Sequence, residues 1–239
     1  MSAWLDRSGS VWGYDKAMKI ASYLLPLVAQ TCPHRLQTLK EALKLFGSHF
    51  SMYRVTTRLG GSPFGLPSEL DNIINSSWVG GWKDNVIRRC VILQSYTMLG
   101  YYPLEHAVWA GTIAPKLFPL DVATLSRLSC VFWVLWIVID IYATHRRWQE
   151  LKRMETKLKM NGSLTANNKA KIERSRRSLI RYTLRLVLYL PNAIHWTLDE
   201  KSKFALADWM VNALGLAEAV LGTYTYVNGD SISRPKIEE

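Results

Sequence analysis

The 239-residue sequence predicts an all-α membrane protein, with N-terminal amphipathic helices and about two membrane-embedded helices. Three observations lead to this class. Apolar residues recur at helical spacing near the N-terminus, two later segments are apolar enough to lie in a bilayer, and the net charge of +11 is concentrated in one stretch. An apolar content of 49% excludes a disordered chain, and a mean hydropathy of -0.02 excludes a transporter with many spans. We expect residues 1–239 to form a single domain.

The first element is an amphipathic helical region over residues 14–60. A short helix over 14–30 should be kinked or ended by Pro26. The next helix carries six apolar residues at alternating steps of three and four, which places them on one stripe. These residues are Leu36, Leu39, Leu43, Phe46, Phe50 and Tyr53. Four basic residues flank the stripe: Lys40, Lys44, Arg54 and Arg58. Gly60-Gly61 suits the end of this helix. Such a helix either packs its stripe on other helices or lies in a membrane interface, and periodicity leaves both open.

The middle of the chain is less regular. Residues 61–82 are rich in Gly and Pro and predict a loop, with at most one helical turn between Glu69 and Ser76. Residues 85–113 predict a helical pair that is interrupted near Gly100 and Pro103.

Residues 122–144 predict the first membrane helix. Leu128–Ile139 has no charged residue, and arginines stand at both ends of the apolar segment. The segment is short for a full span, which tilt and snorkelling arginines can accommodate. A buried core helix is the alternative.

The positive charge belongs to a basic connector over residues 145–203, which holds 15 basic and 5 acidic residues. Nucleic-acid binding is one explanation of such a run. It is disfavoured here because the run lies between two apolar segments and no recognition fold accompanies it. A solvated face beside a membrane fits better, with an interfacial helix over Ser178–Leu198 inside the connector.

Residues 204–228 predict the second membrane helix, and 229–239 form a tail. Glu218 lies inside this helix, so its carboxyl must be protonated, paired or turned toward another helix. Gly215, Ala219 and Gly222 provide small surfaces for helix packing.

The sequence carries no constellation typical of catalysis. The five histidines are far apart, and the three cysteines do not have metal-ligand spacing. For Glu105-His106 and His195-Trp196, hydrogen-bonded packing is favoured over acid–base chemistry. We expect no enzyme activity, no cofactor and no metal.

Three strings carry a family resemblance. They are Tyr101-Tyr102-Pro103-Leu104-Glu105-His106-Ala107-Val108-Trp109-Ala110, Asn192-Ala193-Ile194-His195-Trp196 and Arg58-Leu59-Gly60. In this order they resemble the gamma branch of the peroxin-11 family, over roughly residues 14–227. The motif positions that we expect to be structural are Tyr102, Pro103, Glu105, His106, Trp109, Asn192, His195 and Trp196.

The resemblance implies a protein of the peroxisomal membrane, with its N-terminus in the cytosol, that promotes membrane elongation and peroxisome proliferation or fission. The stripe from Leu36 to Tyr53 would insert into the cytosolic leaflet, and Lys40, Lys44, Arg54 and Arg58 would contact lipid headgroups. Implied partners are peroxisomal membrane lipids, further copies of the chain or related family members, membrane fission factors and the import receptor for peroxisomal membrane proteins. Nucleic acid is not among them.

Two alternatives remain open: a component of a channel for small metabolites, and a peripheral helical adaptor whose apolar segments are core. Topology is open too. The positive-inside rule places the connector in the cytosol, whereas cytosolic termini with two spans would place it in the matrix.

Overall fold

The computed structural model describes residues 10–59, 65–199 and 202–237, and in these ranges the chain is helical without any strand. The prediction of an all-α fold is therefore confirmed. The seven α-helices are α1 Val11–Thr31, α2 Gln37–Leu59, α3 Leu66–Asn75, α4 Asn85–Ile113, α5 Val122–Met160, α6 Ala166–Thr197 and α7 Asp208–Val227. Short 3-10 turns precede α2 at His34–Leu36 and α4 at Ser77–Val79.

Helices α1 and α2 form an antiparallel hairpin. The Ser10 side chain caps α1 by accepting a hydrogen bond from the Gly13 amide, 3.1 Å away. Pro26 lies inside α1 and does not end it. Gly47 of α2 permits close contact, because a Cβ there would lie 2.7 Å from Pro26 Cγ. The predicted stop at Gly60-Gly61 falls outside the described residues.

The loop predicted over residues 61–82 was wrong in one part, because α3 occupies Leu66–Asn75. Pro67 lies in the first turn of α3, where a missing amide hydrogen costs nothing. Asn72 then attaches α3 to α4: its amide group donates to Ser95 Oγ at 2.7 Å and to the Val91 carbonyl at 3.3 Å. The Gly and Pro residues of this segment indicate a loop, and they could not reveal a hydrogen bond to another helix.

The helical pair predicted over 85–113 is one continuous helix, α4. Gly100 does not interrupt it. A Cβ at this position would lie 2.7 Å from the Phe132 ring of α5. The glycine therefore serves close packing. Pro103 also remains inside the helix, which packs along α5.

Helix α5 has 39 residues and is roughly 58 Å long at 1.5 Å per residue. It extends past the predicted end at residue 144, so the first part of the basic connector continues the apolar helix. A turn with Gly162 at φ 65° then leads into α6, which returns along α5 and contains Pro191. The connector is thus mostly a helical hairpin.

Among the described residues, α5 is the one helix that is long and apolar enough to cross a membrane. Only 11% of its most apolar stretch is buried in the fold, whereas a core helix would be mostly buried. The second span predicted over residues 204–228 does not meet the same criterion.

Six helices close into a ring. Going round it, α2 contacts α1, α1 contacts α7, and α6, α5 and α4 follow in turn before α4 meets α2 again, while α3 packs outside on α4. Beside the basic ends of α5 and α6 lies an apolar core built on Trp82, Ile87, Leu151, Ile172 and Leu179. A second core lies along the uncharged run of α5 and contains Ile137, Leu186 and Ala193. At the same height of the bundle, charged side chains face the inside of the ring.

Candidate functional site

The stripe on α2 is largely free of internal packing. Phe46 is 58% exposed, Tyr53 is 49% exposed and Leu39 is 47% exposed, and these residues stand seven positions apart on one line. Leu36, in the turn before α2, is also exposed, whereas Leu43 and Phe50 are half-buried. The helix is held to its neighbours by other residues, so an apolar surface remains for an external partner.

The four basic residues predicted to contact lipid headgroups divide into two pairs. Lys44 is exposed and Lys40 is half-buried. Arg54 and Arg58 instead face the interior of the ring, where Arg54 pairs with Asp15 at 2.8 Å and Arg58 with Glu105 at 3.0 Å. For these two, the structure provides a carboxylate in place of a lipid headgroup. Burial would raise the pKa of Asp15, but Arg54 holds it below its ordinary value.

The first family string joins α4 to α2. The Tyr101 hydroxyl donates to Glu105, whose same oxygen receives Arg58 of α2. Tyr102 stacks on His106 with ring centroids 6.2 Å apart. Burial lowers the pKa of His106, which keeps the ring neutral in this packed position. Of the remaining string positions, Trp109 is half-buried and Pro103 is exposed on α4.

The second family string joins α6 to α7 and α5. The buried Asn192 amide donates to the Val211 carbonyl at 2.9 Å, and His195 Nδ1 accepts from the Leu206 amide at 3.0 Å. Trp196 stacks on Trp133 of α5 at a centroid distance of 5.4 Å. Each named residue of this string therefore has a packing role.

The small residues of α7 lie in contacts within the chain. A Cβ at Gly215 would overlap the Tyr23 ring of α1, and one at Gly222 would lie 3.2 Å from the Arg185 guanidinium of α6. Ala219, between them, is 1% exposed. Self-association would have to use another surface.

Glu218 is the centre of a charged network that sequence reasoning missed. Its two oxygens bind Lys19 of α1 and Arg185 of α6, the latter at 2.8 Å. Of the three states that the sequence left open for Glu218, the structure shows the paired one. Lys19 also contacts the Tyr189 hydroxyl, so three helices meet at this carboxylate. The available signals were Lys19 and Arg185, each a basic residue beside apolar residues of its helix.

A cavity of about 320 Å³ opens inside the ring beside this network. Four cationic side chains line it, namely Lys19, Arg54, Arg58 and Arg185, together with one carboxylate, Glu105. Aromatic rings form most of the remaining wall: Tyr23, Tyr101, Tyr102, Trp133, Trp136, Tyr189 and Trp196. The arrangement suits an anionic group in an aromatic surrounding.

The outside of the ring has the opposite character. An outer belt of exposed apolar side chains covers α4, α5 and α6. Its members are Leu93, Tyr96, Leu128, Val131, Leu135, Val138, Ile180, Leu184 and Val187. A charged interior within an apolar exterior is typical of helices surrounded by lipid. Because each helix carries both faces, average hydropathy understates the apolar surface of this bundle.

The described ranges contain no group of three His, Cys, Asp or Glu residues that could hold a metal ion.

A comparison with protein families matches residues 1–227 to peroxisomal biogenesis factor 11 (PEX11). No match was found among curated proteins or among solved structures. PEX11 proteins belong to the peroxisomal membrane and take part in peroxisome biogenesis and proliferation; this is not a known enzyme family. The match does not distinguish the gamma branch, which stays a prediction. Since the match covers nearly the whole chain, the protein belongs to the peroxisomal biogenesis factor 11 family.

Proposed function

We propose that this protein, as a gamma-type member of the family, elongates the peroxisomal membrane before fission by inserting α2 into the cytosolic leaflet. The observation that carries this proposal is the exposed line of Leu39, Phe46 and Tyr53 on a helix anchored through its other side. An apolar wedge in one leaflet expands that leaflet and favours positive curvature.

The energy of insertion follows from the exposed area. Complete burial of a Leu or Phe side chain contributes about 1.5–3 kcal/mol, so a half-exposed side chain contributes about 1 kcal/mol on entering the acyl region. Leu36, Leu39, Phe46 and Tyr53 together contribute about 4 kcal/mol, equivalent to about a thousandfold in partitioning. Lys44 adds roughly 1 kcal/mol near an anionic surface.

The test uses the full chain reconstituted into vesicles of phosphatidylcholine and phosphatidylserine, with tubules counted by electron microscopy. Leu39→Glu with Phe46→Glu removes about 2 kcal/mol of insertion energy, about thirtyfold, and should abolish tubulation. The matched control is Gln37→Glu with Ser48→Glu, which adds two carboxylates at exposed positions on the side of the helix opposite Phe46 and should tubulate normally. Equal tubulation by both variants would refute the mechanism.

We infer that α5 and α7 both lie in the membrane, with the N-terminus in the cytosol. The outer belt and the low burial of α5 support the membrane position of α5. For α7 the support is its exposed Val220 and Tyr224, and Glu218 does not oppose it because its charge is paired inside the ring. An epitope inserted after Asn161, in the exposed turn between α5 and α6, tests topology. Protease protection in intact peroxisomes would place the basic hairpin in the matrix, and digestion would place it in the cytosol.

The proposed partners follow from the same assignment: membrane lipids, fission factors, the import receptor for peroxisomal membrane proteins, and other copies of the chain or related members. The basic hairpin from residue 145 to 177 is the proposed receptor contact. The test is co-purification of the receptor from cells, compared between the unmodified protein and a variant in which the basic residues of that hairpin are replaced by acidic ones.

A second candidate function is passage of small metabolites, and the polar cavity inside the ring favours it. Solute release from loaded vesicles that contain the full chain distinguishes the two. Release without tubulation would favour a channel, and tubulation without release would favour the remodelling function.

A further inference from the structure

We propose that the cavity inside the helix ring is a binding site for an oxyanion group, a carboxylate or a phosphate, carried on a small apolar or aromatic body. The proposal does not rest on membrane remodelling, since α2 inserts through the opposite face to Arg54 and Arg58.

The first step of the argument is charge. Within the described residues, the carboxylates that neutralise the lining cations are Asp15, Glu105 and Glu218. Glu218 alone serves both Lys19 and Arg185, so three carboxylates face four cations. Lys16, one turn before Lys19 on α1, also lies beside this cluster, and burial lowers its pKa.

The second step is burial. Lys19 is 3% exposed and Arg185 is 20% exposed, so bulk water does little to solvate the excess charge. An uncompensated charge in such surroundings is costly, and a bound anion relieves that cost. The guanidinium of Arg185 uses Nε and Nη2 on Glu218 and retains further donors for a ligand.

The third step is the shape and lining of the space. Its volume of about 320 Å³ exceeds that of an inorganic ion, and Trp133, Trp136 and Tyr189 provide flat apolar walls. A neighbouring cavity of about 270 Å³ shares Tyr23, Ser51 and Trp196 and reaches the exposed Asp208, which offers a route of entry. A small organic anion therefore fits better than phosphate alone.

The test measures binding to the purified full chain in a neutral detergent by calorimetry, with three probes of similar size and different charge: benzoate, benzyl alcohol and benzylamine. We expect benzoate to bind at least about tenfold more tightly than the other two. Equal affinity for the three probes would overturn the proposal.

Two variants test whether benzoate binds in this cavity. Glu105→Gln removes the carboxylate of the wall and should tighten benzoate binding about tenfold, a gain that a folding defect cannot mimic. Arg185→Gln should weaken it about tenfold. The matched control is Arg181→Gln, one turn away on α6, where the arginine pairs with Asp230 outside the cavity; affinity should not change. Unchanged affinity in Glu105→Gln would refute the assignment.

The source of the oxyanion is decided by repeating the benzoate titration in nanodiscs of phosphatidylcholine, with and without phosphatidic acid, and with inorganic phosphate as a soluble competitor. Competition by phosphatidic acid supports a lipid headgroup as occupant, and competition by phosphate alone supports a soluble anion. Loss of benzoate binding in every nanodisc would contradict the proposal.

Discussion

Glu218 provides the sharpest structural prediction, because one carboxylate joins α1, α6 and α7. Glu218→Gln keeps the shape of the side chain and removes its charge, so Lys19 and Arg185 lose their shared carboxylate. Glu218 is 1% exposed, and removing one partner from a buried charge pair costs about 3–5 kcal/mol. For a chain of this size, each kcal/mol corresponds to roughly 2–4 °C, so the melting temperature should fall by about 10 °C.

The assay is thermal melting of the purified protein in detergent, followed by intrinsic tryptophan fluorescence. Glu155→Gln is the matched control, because Glu155 also binds two cations, Lys159 at 2.8 Å and Arg176 at 2.6 Å, but at the surface. Its effect should stay below about 1 kcal/mol. A Glu218→Gln variant that melts within about 2 °C of the unmodified protein would refute the structural role of the network.

A compensating variant separates charge from packing. Replacing all three members by apolar residues, Lys19→Met with Arg185→Met and Glu218→Leu, leaves no buried charge without a partner. Such replacements are often neutral or stabilising, so this variant should recover most of the lost stability. If it melts as low as Glu218→Gln, the loss arises from shape and the electrostatic reasoning is wrong.

Two further predictions use the same melting assay. Burial raises the pKa of Glu69 to about 7, so the folded state retains a proton that the unfolded state releases near pH 4.5. The contribution of Glu69 to stability is therefore greatest at low pH and is lost as pH rises toward 7, by up to about 3 kcal/mol. Glu69→Gln should flatten this part of the profile between pH 5 and pH 8, and an unchanged profile would contradict the pKa. Gly215→Val should cost about 1–3 kcal/mol by displacing Tyr23, whereas Ala217→Val, on the exposed side of α7, should cost less than about 0.5 kcal/mol. Equal losses in the two valine variants would argue against the α1–α7 contact.

Local sequence patterns predicted the helices whose apolar residues recur along one face. The steps of three and four from Leu36 to Tyr53 correspond to α2 and the turn before it, and the uncharged run Leu128–Ile139 lies in α5. These signals are strong because a helix repeats every 3.6 residues whatever it packs against. The family strings are local signals as well. The structural roles of their residues became clear only from the contacts of Glu105, Asn192 and Trp196.

Errors occurred where tertiary contact overrides a local signal. Gly100 and Pro103 predicted a break, yet α4 continues through both, and Gly100 allows close contact with Phe132. The Gly- and Pro-rich segment before α4 contains α3, which Asn72 attaches to Ser95. Helix α5 continues past residue 144, where the membrane segment was predicted to end, because the basic stretch that follows stays helical around the apolar core of Trp82, Leu151 and Leu179.

The sequence by itself determined the class of this protein: an all-helical chain with an apolar helix of membrane length and a basic stretch beside it. The second membrane helix that the sequence predicts stays a prediction. Only the tertiary structure decided which face of each helix turns inward. Periodicity shows that Arg54 and Arg58 share a side of α2, but it cannot show that Asp15 and Glu105 meet them there. That choice depends on charges far apart in the chain, which become neighbours only when six helices close into a ring.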